Sequence, residues 1–191
     1  RSFKVDYDKI DVVYDGINQI FEAISEEEKN VVREKYTAGS EYFLFVGALH
    51  PRKNVSGLLK AFDAFKTVTT NNTKLVIVGG EMHKTGEIFD TYENLRFKKD
   101  VVFTGRVSTS NLHDIFGAAL ALTFVPFFEG FGIPIVEAMS AGVPVICSNT
   151  TSIPEVGGNA VLYADPIKID QITEAMLKLA GDAELRKSLI K

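Results

Sequence analysis

The feature that most constrains this chain is an alternation that begins at Tyr42. Short runs rich in Val, Ile and Phe return at Tyr42–Val46, Leu75–Val78, Val101–Thr104, Leu120–Phe124, Val143–Cys147 and Ala160–Tyr163. Most lack the apolar–polar alternation of a half-exposed strand. They read as strands buried on both faces, as in a parallel sheet. The segments between them carry helical spacing. Val55, Leu58, Leu59 and Phe62 stand at i, i+3, i+4 and i+7, and Ile169, Ile172, Met176 and Leu179 repeat the stripe near the end. Sustained strand–helix alternation predicts an α/β fold with a Rossmann-like, doubly wound, mainly parallel sheet.

Residues 1–40 follow a different pattern. A short apolar stretch, Ile10 to Tyr14, precedes a charged helical pattern from Ser25 to Tyr36, and Gly39 and Ser40 read as a break. Ser25 and Glu28 have the spacing of a capping box. We read 1–40 as a lead-in or hinge segment and 41–191 as the domain. The first residue is Arg1, which fits a fragment of a longer protein.

Composition excludes several classes of function. With 46% hydrophobic and 24% charged residues the chain is globular. Its 21 Lys and Arg against 25 Asp and Glu leave a net charge of −4, so bulk nucleic acid and anionic membrane surfaces are disfavoured partners. No apolar run approaches the ~20 residues of a spanning helix, and the start shows no signal-peptide pattern. A single cysteine, Cys147, excludes an intrachain disulfide and a multi-cysteine zinc site. It points to a reducing, cytoplasmic compartment and reads as a small buried hydrophobe. His83 and His113 lack metal-ligand spacing.

In a doubly wound sheet ligands bind beyond the carboxyl ends of the strands. Those ends carry Gly47, Gly79 with Gly80, Gly105, and Gly130 with Gly132. After the first strand the sequence reads Gly47-Ala48-Leu49-His50-Pro51-Arg52-Lys53-Asn54. Asn54 suits a helix N-cap, so Arg52 and Lys53 stand just before a helix N-terminus, which itself favours anions. Together they make a candidate diphosphate site; two solvated loop cations are the competing reading. The spacing is neither a Walker A motif nor G-x-G-x-x-G. His50 reads as a loop residue.

A second candidate site spans residues 128–139, FEGFGIPIVEAM. Pro134 suits the first turn of a helix, which places Glu137 on that helix and Glu129 in the loop before it. Carboxylates accept hydrogen bonds from the vicinal hydroxyls of a ribose or hexose. A loop with Gly130 and Gly132 can turn backbone N–H groups toward sugar or phosphate oxygens. Paired carboxylates also admit a glycosidase, and a helix-end acid can be a dipole partner only. Phe124, Phe127, Phe128 and Phe131 either stack on a ligand or pack beneath the loop.

Glu129 and Glu137 are separated by seven residues. The run EGFGIPIVEAMSAGVPVICS resembles the E-x7-E signature of the retaining glycosyltransferases of family 4, also called group 1. VGALHPRKN is similar to that family's phosphate-contacting loop. The likeness covers roughly residues 42–180 and extends more weakly to IDVVYDGIN at 10–18. It implies that the chain is the C-terminal, donor-binding half of a GT-B fold, with the N-terminal acceptor domain outside it.

The activity implied is transfer of a sugar from a nucleotide-diphosphate donor with retention of configuration. No metal and no cofactor is implied, because cationic side chains stabilise the leaving diphosphate. By the same resemblance Glu137 binds the ribose, Glu129 the donor sugar, and Phe131, Gly132 and Ile133 offer backbone N–H groups. Gly47 opens the donor loop and Lys53 meets the diphosphate. The family's usual arginine position is Ala48 here, and Arg52 stands as its replacement. Arg106 and Val107 lie near the base. The partners implied are a nucleotide sugar and an acceptor glycan, lipid or small molecule reached through the other domain, with no nucleic acid and with peripheral membrane association of the full enzyme. A non-catalytic nucleotide-sugar-binding module and a sugar-nucleotide epimerase are the alternatives on the same fold.

Overall fold

A computed structural model describes residues 6–13, 16, 21–80 and 85–190. Among the described residues, six strands form one sheet in the order β3-β2-β1-β4-β5-β6. They are β1 (Tyr42–Val46), β2 (Lys74–Val78), β3 (Val101–Gly105), β4 (Ala121–Phe124), β5 (Val145–Ser148) and β6 (Leu162–Ala164). Every neighbouring pair is parallel. The helices α2 (Val55–Val68), α3 (Gly86–Glu93) and α7 (Ile169–Gly181) group on one face. The other face carries α1 (Glu26–Thr37), α4 (Thr109–Gly117), α5 (Ile133–Ser140) and α6 (Ile153–Gly157). A further helix, α8 (Ala183–Leu189), packs on α7. This is the doubly wound sheet that the alternation predicts.

The central strands are covered on both sides, which is why their sequences are continuous apolar runs. Tyr42, Phe43, Leu44 and Phe45 of β1 are fully buried, as are Leu58, Leu59, Phe62 and Phe65 of α2. Phe43 meets Phe65 edge-on at 5.3 Å, and Phe45 stacks on Phe124 of β4 at 6.2 Å. The Tyr42 hydroxyl, inside this core, donates to the Ile115 carbonyl at 2.7 Å. Cys147 is buried in β5, and burial pushes its thiol up to about 12, so it packs as an inert hydrophobe.

Strand boundaries moved for local reasons. Pro144 has no N–H for the ladder, so β5 starts at Val145 rather than Val143. Ala160 is held in the turn after α6 by a bond from its N–H to the Gly157 carbonyl, so β6 starts at Leu162. The capping box forms: Ser25 Oγ accepts from the Glu28 N–H at 3.3 Å, and Glu28 Oε2 accepts from the Ser25 N–H at 2.8 Å. From IDVVYDGIN, residues 14, 15, 17 and 18 lie outside the described residues, as does His83. His113 is structural; its Nε2 meets the Glu22 carbonyl at 3.1 Å and its Nδ1 meets Asp114 at 3.2 Å.

Candidate functional site

The strand order decides the site. β1 and β4 are neighbours, and the chain leaves β1 toward one face of the sheet and reaches β4 from the other. A crevice opens where such connections diverge, beyond the carboxyl ends of those two strands. The loop after β1 carries Arg52 and Lys53, and the loop after β4 carries Glu129. Residues far apart in sequence therefore meet at one rim.

The loop after β1 closes with a short 3-10 turn, Pro51–Lys53, whose Arg52 N–H is accepted by His50 Nδ1 at 3.1 Å. Asn54 occupies the N-cap position of α2 but makes no side-chain capping bond. Its φ of 56° turns the side chain away from the helix. Its Nδ2 instead donates to the carbonyls of Val125 at 3.0 Å and Pro166 at 2.8 Å. Asn54 thus ties the β1, β4 and β6 exits together. The Phe127 N–H donates to the Arg52 carbonyl at 2.9 Å and locks the first two loops directly.

Within that frame Lys53 Nζ forms an ion pair with Glu129 Oε2. The two side chains are only 12% and 14% exposed. The lysine also stands over the Phe124 ring, 5.0 Å from its centroid, so Phe124 packs beneath the site. Arg52 Nη1 lies 3.9 Å from Glu129 Oε1 and donates to the Phe128 carbonyl at 3.4 Å, with its side chain 48% exposed. It sits at the rim, whereas Lys53 sits inside.

The loop after β4 reaches α5 through Gly132, which takes the N-cap position at φ 108°. This left-handed conformation suits glycine and few other residues. The N–H groups of Gly132 and Ile133 have no partner among the described residues, and they head the positive end of α5. A cavity of about 650 Å³ lies against them. Lys53, Glu129, Gly130, Phe131, Gly132 and Ile133 line it. A second crevice of about 300 Å³ runs along the ends of β1, β2 and β3, lined by Gly47, Gly79, Gly80, Arg106 and Val107.

The loop has a brace that the sequence reading missed. Thr151, after β5, holds a left-handed φ of 56°, and its Oγ1 accepts the Glu129 N–H at 3.3 Å. A β-branched residue in that region is strained. Ser152 Oγ donates to the Glu129 carbonyl at 3.0 Å. Both follow β5 at the same edge of the sheet, and their place in the chain is the one sequence signal that marks them. Val12, Val13 and Glu155 also line the larger cavity.

Glu137 stands apart. It is on α5, half-buried, and does not line the larger cavity. The two carboxylates thus do not share that pocket, which does not suit the acid pair of a glycosidase flanking one bond. Among the described residues no cluster of three or more His, Cys, Asp or Glu is placed to hold a metal ion, and no helix is long and apolar enough to cross a membrane.

The family model for glycosyl transferases group 1 matches residues 26–191. The chain belongs to the group 1 glycosyltransferases. The O-antigen chain mannosyltransferase B of Escherichia coli is 37% identical over 157 residues, which cover 82% of this chain and 41% of that protein. The chain thus spans about two-fifths of the length of that relative. Among solved structures, the C-terminal domain of a group 1 family protein (LpcC) from Francisella tularensis is similar with a TM-score of 0.79 at 18% identity, covering 92% of this chain and 93% of that one. Anabaena HepE, solved with UDP and glucose, gives a TM-score of 0.84 at 18% identity over 95% of this chain and 50% of that one. These likenesses are of fold: the chain has the Rossmann-like fold found in these GT-B glycosyltransferases.

In this group 1 glycosyltransferase domain, burial raises the Glu137 carboxyl above its ordinary value. The folded chain therefore holds that proton more tightly than the unfolded chain. Stability falls as pH rises from the unfolded value through the folded one, and the loss is complete above it. Glu137→Gln is accordingly expected to melt higher than the parent at neutral pH and to converge with it in acid. Paired thermal melts between about pH 3 and pH 8 check this; the same difference at every pH would refute it.

Proposed function

We propose that this chain is the donor-binding domain of a retaining glycosyltransferase that transfers a hexose, mannose in the first instance, from a nucleoside-diphosphate donor. The observation that carries the reading is the meeting of Lys53, Glu129 and the open N–H groups of α5 at the β1/β4 switch point. Cations and N–H dipoles suit a diphosphate, and a carboxylate suits sugar hydroxyls. The mannose assignment rests on the Escherichia coli relative, a mannosyltransferase by name. The nucleotide assignment draws on the UDP in the similar Anabaena structure.

On this reading the base and ribose enter the glycine-lined crevice beside Arg106 and Val107, with Glu137 toward the ribose and Gly47 at the turn. The diphosphate spans to Lys53, Arg52 and the N–H groups of Phe131, Gly132 and Ile133. The sugar fills the larger cavity against Glu129. As the glycosidic bond breaks, negative charge grows on the diphosphate and positive charge on the anomeric carbon. Fixed cations and dipoles that meet the growing anion stabilise the transition state more than the ground state. The reading assigns this work to side chains and backbone, with no resident cofactor. Residues 1–40 serve as the lead-in from an acceptor domain and 41–191 as the donor domain, with α1 packed on α4.

The test is a thermal-shift series with UDP-, GDP- and ADP-sugars against the matching sugar 1-phosphates. A ligand at a hundred times its Kd stabilises by about 2.7 kcal/mol. That corresponds to a rise of about 5–10 °C for a chain of this size. One nucleotide sugar is expected to produce it and the sugar phosphates are not. No shift with any nucleotide sugar would overturn the reading. Restoring the acceptor half and following the anomeric configuration of the product by NMR tests transfer and retention.

A further inference from the structure

The anion cradle described above is already filled by the protein itself. The Glu129 carboxylate places Oε2 on Lys53 Nζ, accepts the Gly130 N–H on Oε1 at 3.1 Å, and has Arg52 Nη1 3.9 Å from that same oxygen. These are a cation, a backbone donor and a second cation, the same kinds of group that a phosphate would recruit. The pair is well shielded from water, so salt screens it weakly.

From this geometry we infer that the Lys53–Glu129 ion pair makes the site discriminate a sugar-bearing donor from the bare nucleoside diphosphate, with Glu129 setting the ratio. The inference rests on the nucleotide-donor reading. A diphosphate that takes Lys53 must leave the Glu129 charge either beside phosphate or without its cation, and a poorly hydrated, unpaired carboxylate is costly. A donor sugar in the same cavity supplies hydroxyl donors that can satisfy Glu129. Lys53 is then released to the phosphate and the carboxylate to the sugar in one exchange. A bare diphosphate brings no such donors, and its binding bears the whole cost of the broken pair. Specificity here is a difference of affinities built partly from repulsion against the wrong ligand. The same contact favours product release. Once the sugar has left, Glu129 loses its hydroxyl partners and competes again for Lys53.

The experiment is titration calorimetry on the 191-residue chain and its Glu129→Gln variant. UDP, GDP and ADP are each compared with the corresponding sugar nucleotide. The parent is expected to prefer the sugar nucleotide. Glutamine is isosteric and uncharged, so it still meets sugar hydroxyls but no longer pairs a charge with Lys53 or repels phosphate. In the variant the bare diphosphate is expected to bind about tenfold tighter, a change of about 1.4 kcal/mol, while the sugar nucleotide gains less, so the preference collapses. Glu129→Ala, which leaves no carboxylate near the phosphate, is expected to tighten the bare diphosphate in the same direction. It serves as the second variant should the glutamine form fail to fold.

An unchanged preference in a variant that still binds nucleotide would overturn the inference and leave the donor reading standing. Equal weakening of both ligands would also overturn it, by showing that Glu129 merely holds Lys53 in place. Absence of any nucleotide binding, in parent and variants alike, would overturn the donor reading and the inference together.

Discussion

Lys53→Ala in the complete enzyme is expected to lower kcat about 10²–10³-fold, the usual cost of deleting one fixed donor to a developing anion. Lys53 differs from the chain's many surface lysines in being held. Its backbone ends a short 3-10 turn, its ammonium lies over the Phe124 ring, and its ion pair with Glu129 is largely shielded from water. A cation fixed in this way needs little reorganisation when charge moves onto the leaving group. Arg52 supplies the internal comparison. It is half-exposed, and its contact to Glu129 is 3.9 Å, so Arg52→Ala is expected to cost about tenfold or less, in keeping with a rim charge. The measurement is steady-state kinetics on both variants, with thermal melts to show that each is folded. Removing an interaction that strengthens in the transition state lowers kcat and kcat/KM together. A loss confined to KM would make Lys53 a uniform donor-binding group, and near-parental turnover would remove it from the chemistry.

The sheet was legible because parallel strands covered on both faces write long apolar runs, and β1, β2 and β3 begin or end within a residue of those runs. Where reading failed, backbone bonding was the cause. Pro144 shortened β5, and the Ala160 turn delayed β6. The two site loops were each legible from local chemistry, a basic loop and an acidic glycine loop. Their meeting at one rim followed from the rule that ligands bind beyond the carboxyl ends of the strands. The direct Lys53–Glu129 ion pair did not, because the two residues are 76 apart in sequence and meet through the pairing of β1 with β4. Asn54 showed its position but not its partners, since an amide that bonds to Val125 and Pro166 looks in sequence like any other N-cap. Thr151 was silent for a related reason. Its contribution depends on a left-handed backbone that a threonine seldom adopts, and residue type predicts against it. Glu137 was placed on the helix after the acidic loop, as α5 shows, but sequence could not show that it lies outside the cavity that Glu129 lines.

Gly79→Ala is expected to be the most damaging single substitution at the sheet's carboxyl edge, although it adds only one methyl group. Gly79 holds φ at 153°, and a Cβ there would lie 1.8 Å from the Gly47 carbonyl oxygen and 2.7 Å from its carbon. The obstacle is backbone, so no side-chain rotation relieves it. Nor can the backbone move freely. The Gly79 N–H donates to the Gly105 carbonyl, the Gly47 N–H to the Val78 carbonyl, and the Leu49 N–H to the Gly80 carbonyl, each at 3.0 Å. Accommodating the methyl means opening the β1–β2 junction and breaking some of these bonds. Overpacking and backbone strain each cost about 1–3 kcal/mol, so a loss of about 3–5 kcal/mol is expected. At about 2–4 °C per kcal/mol for a chain of this length, the melting temperature should fall by about 6–20 °C. Gly86→Ala is the control. It opens α3 with nothing within 4 Å of the added carbon, and it is expected to be neutral or slightly stabilising. Because Leu49 is bonded to the displaced segment and lies only four residues before Lys53, any folded Gly79→Ala protein should also bind donor more weakly than the parent. A melting temperature equal to that of the Gly86→Ala control would show that the junction of β1 and β2 yields more easily than its hydrogen bonds imply.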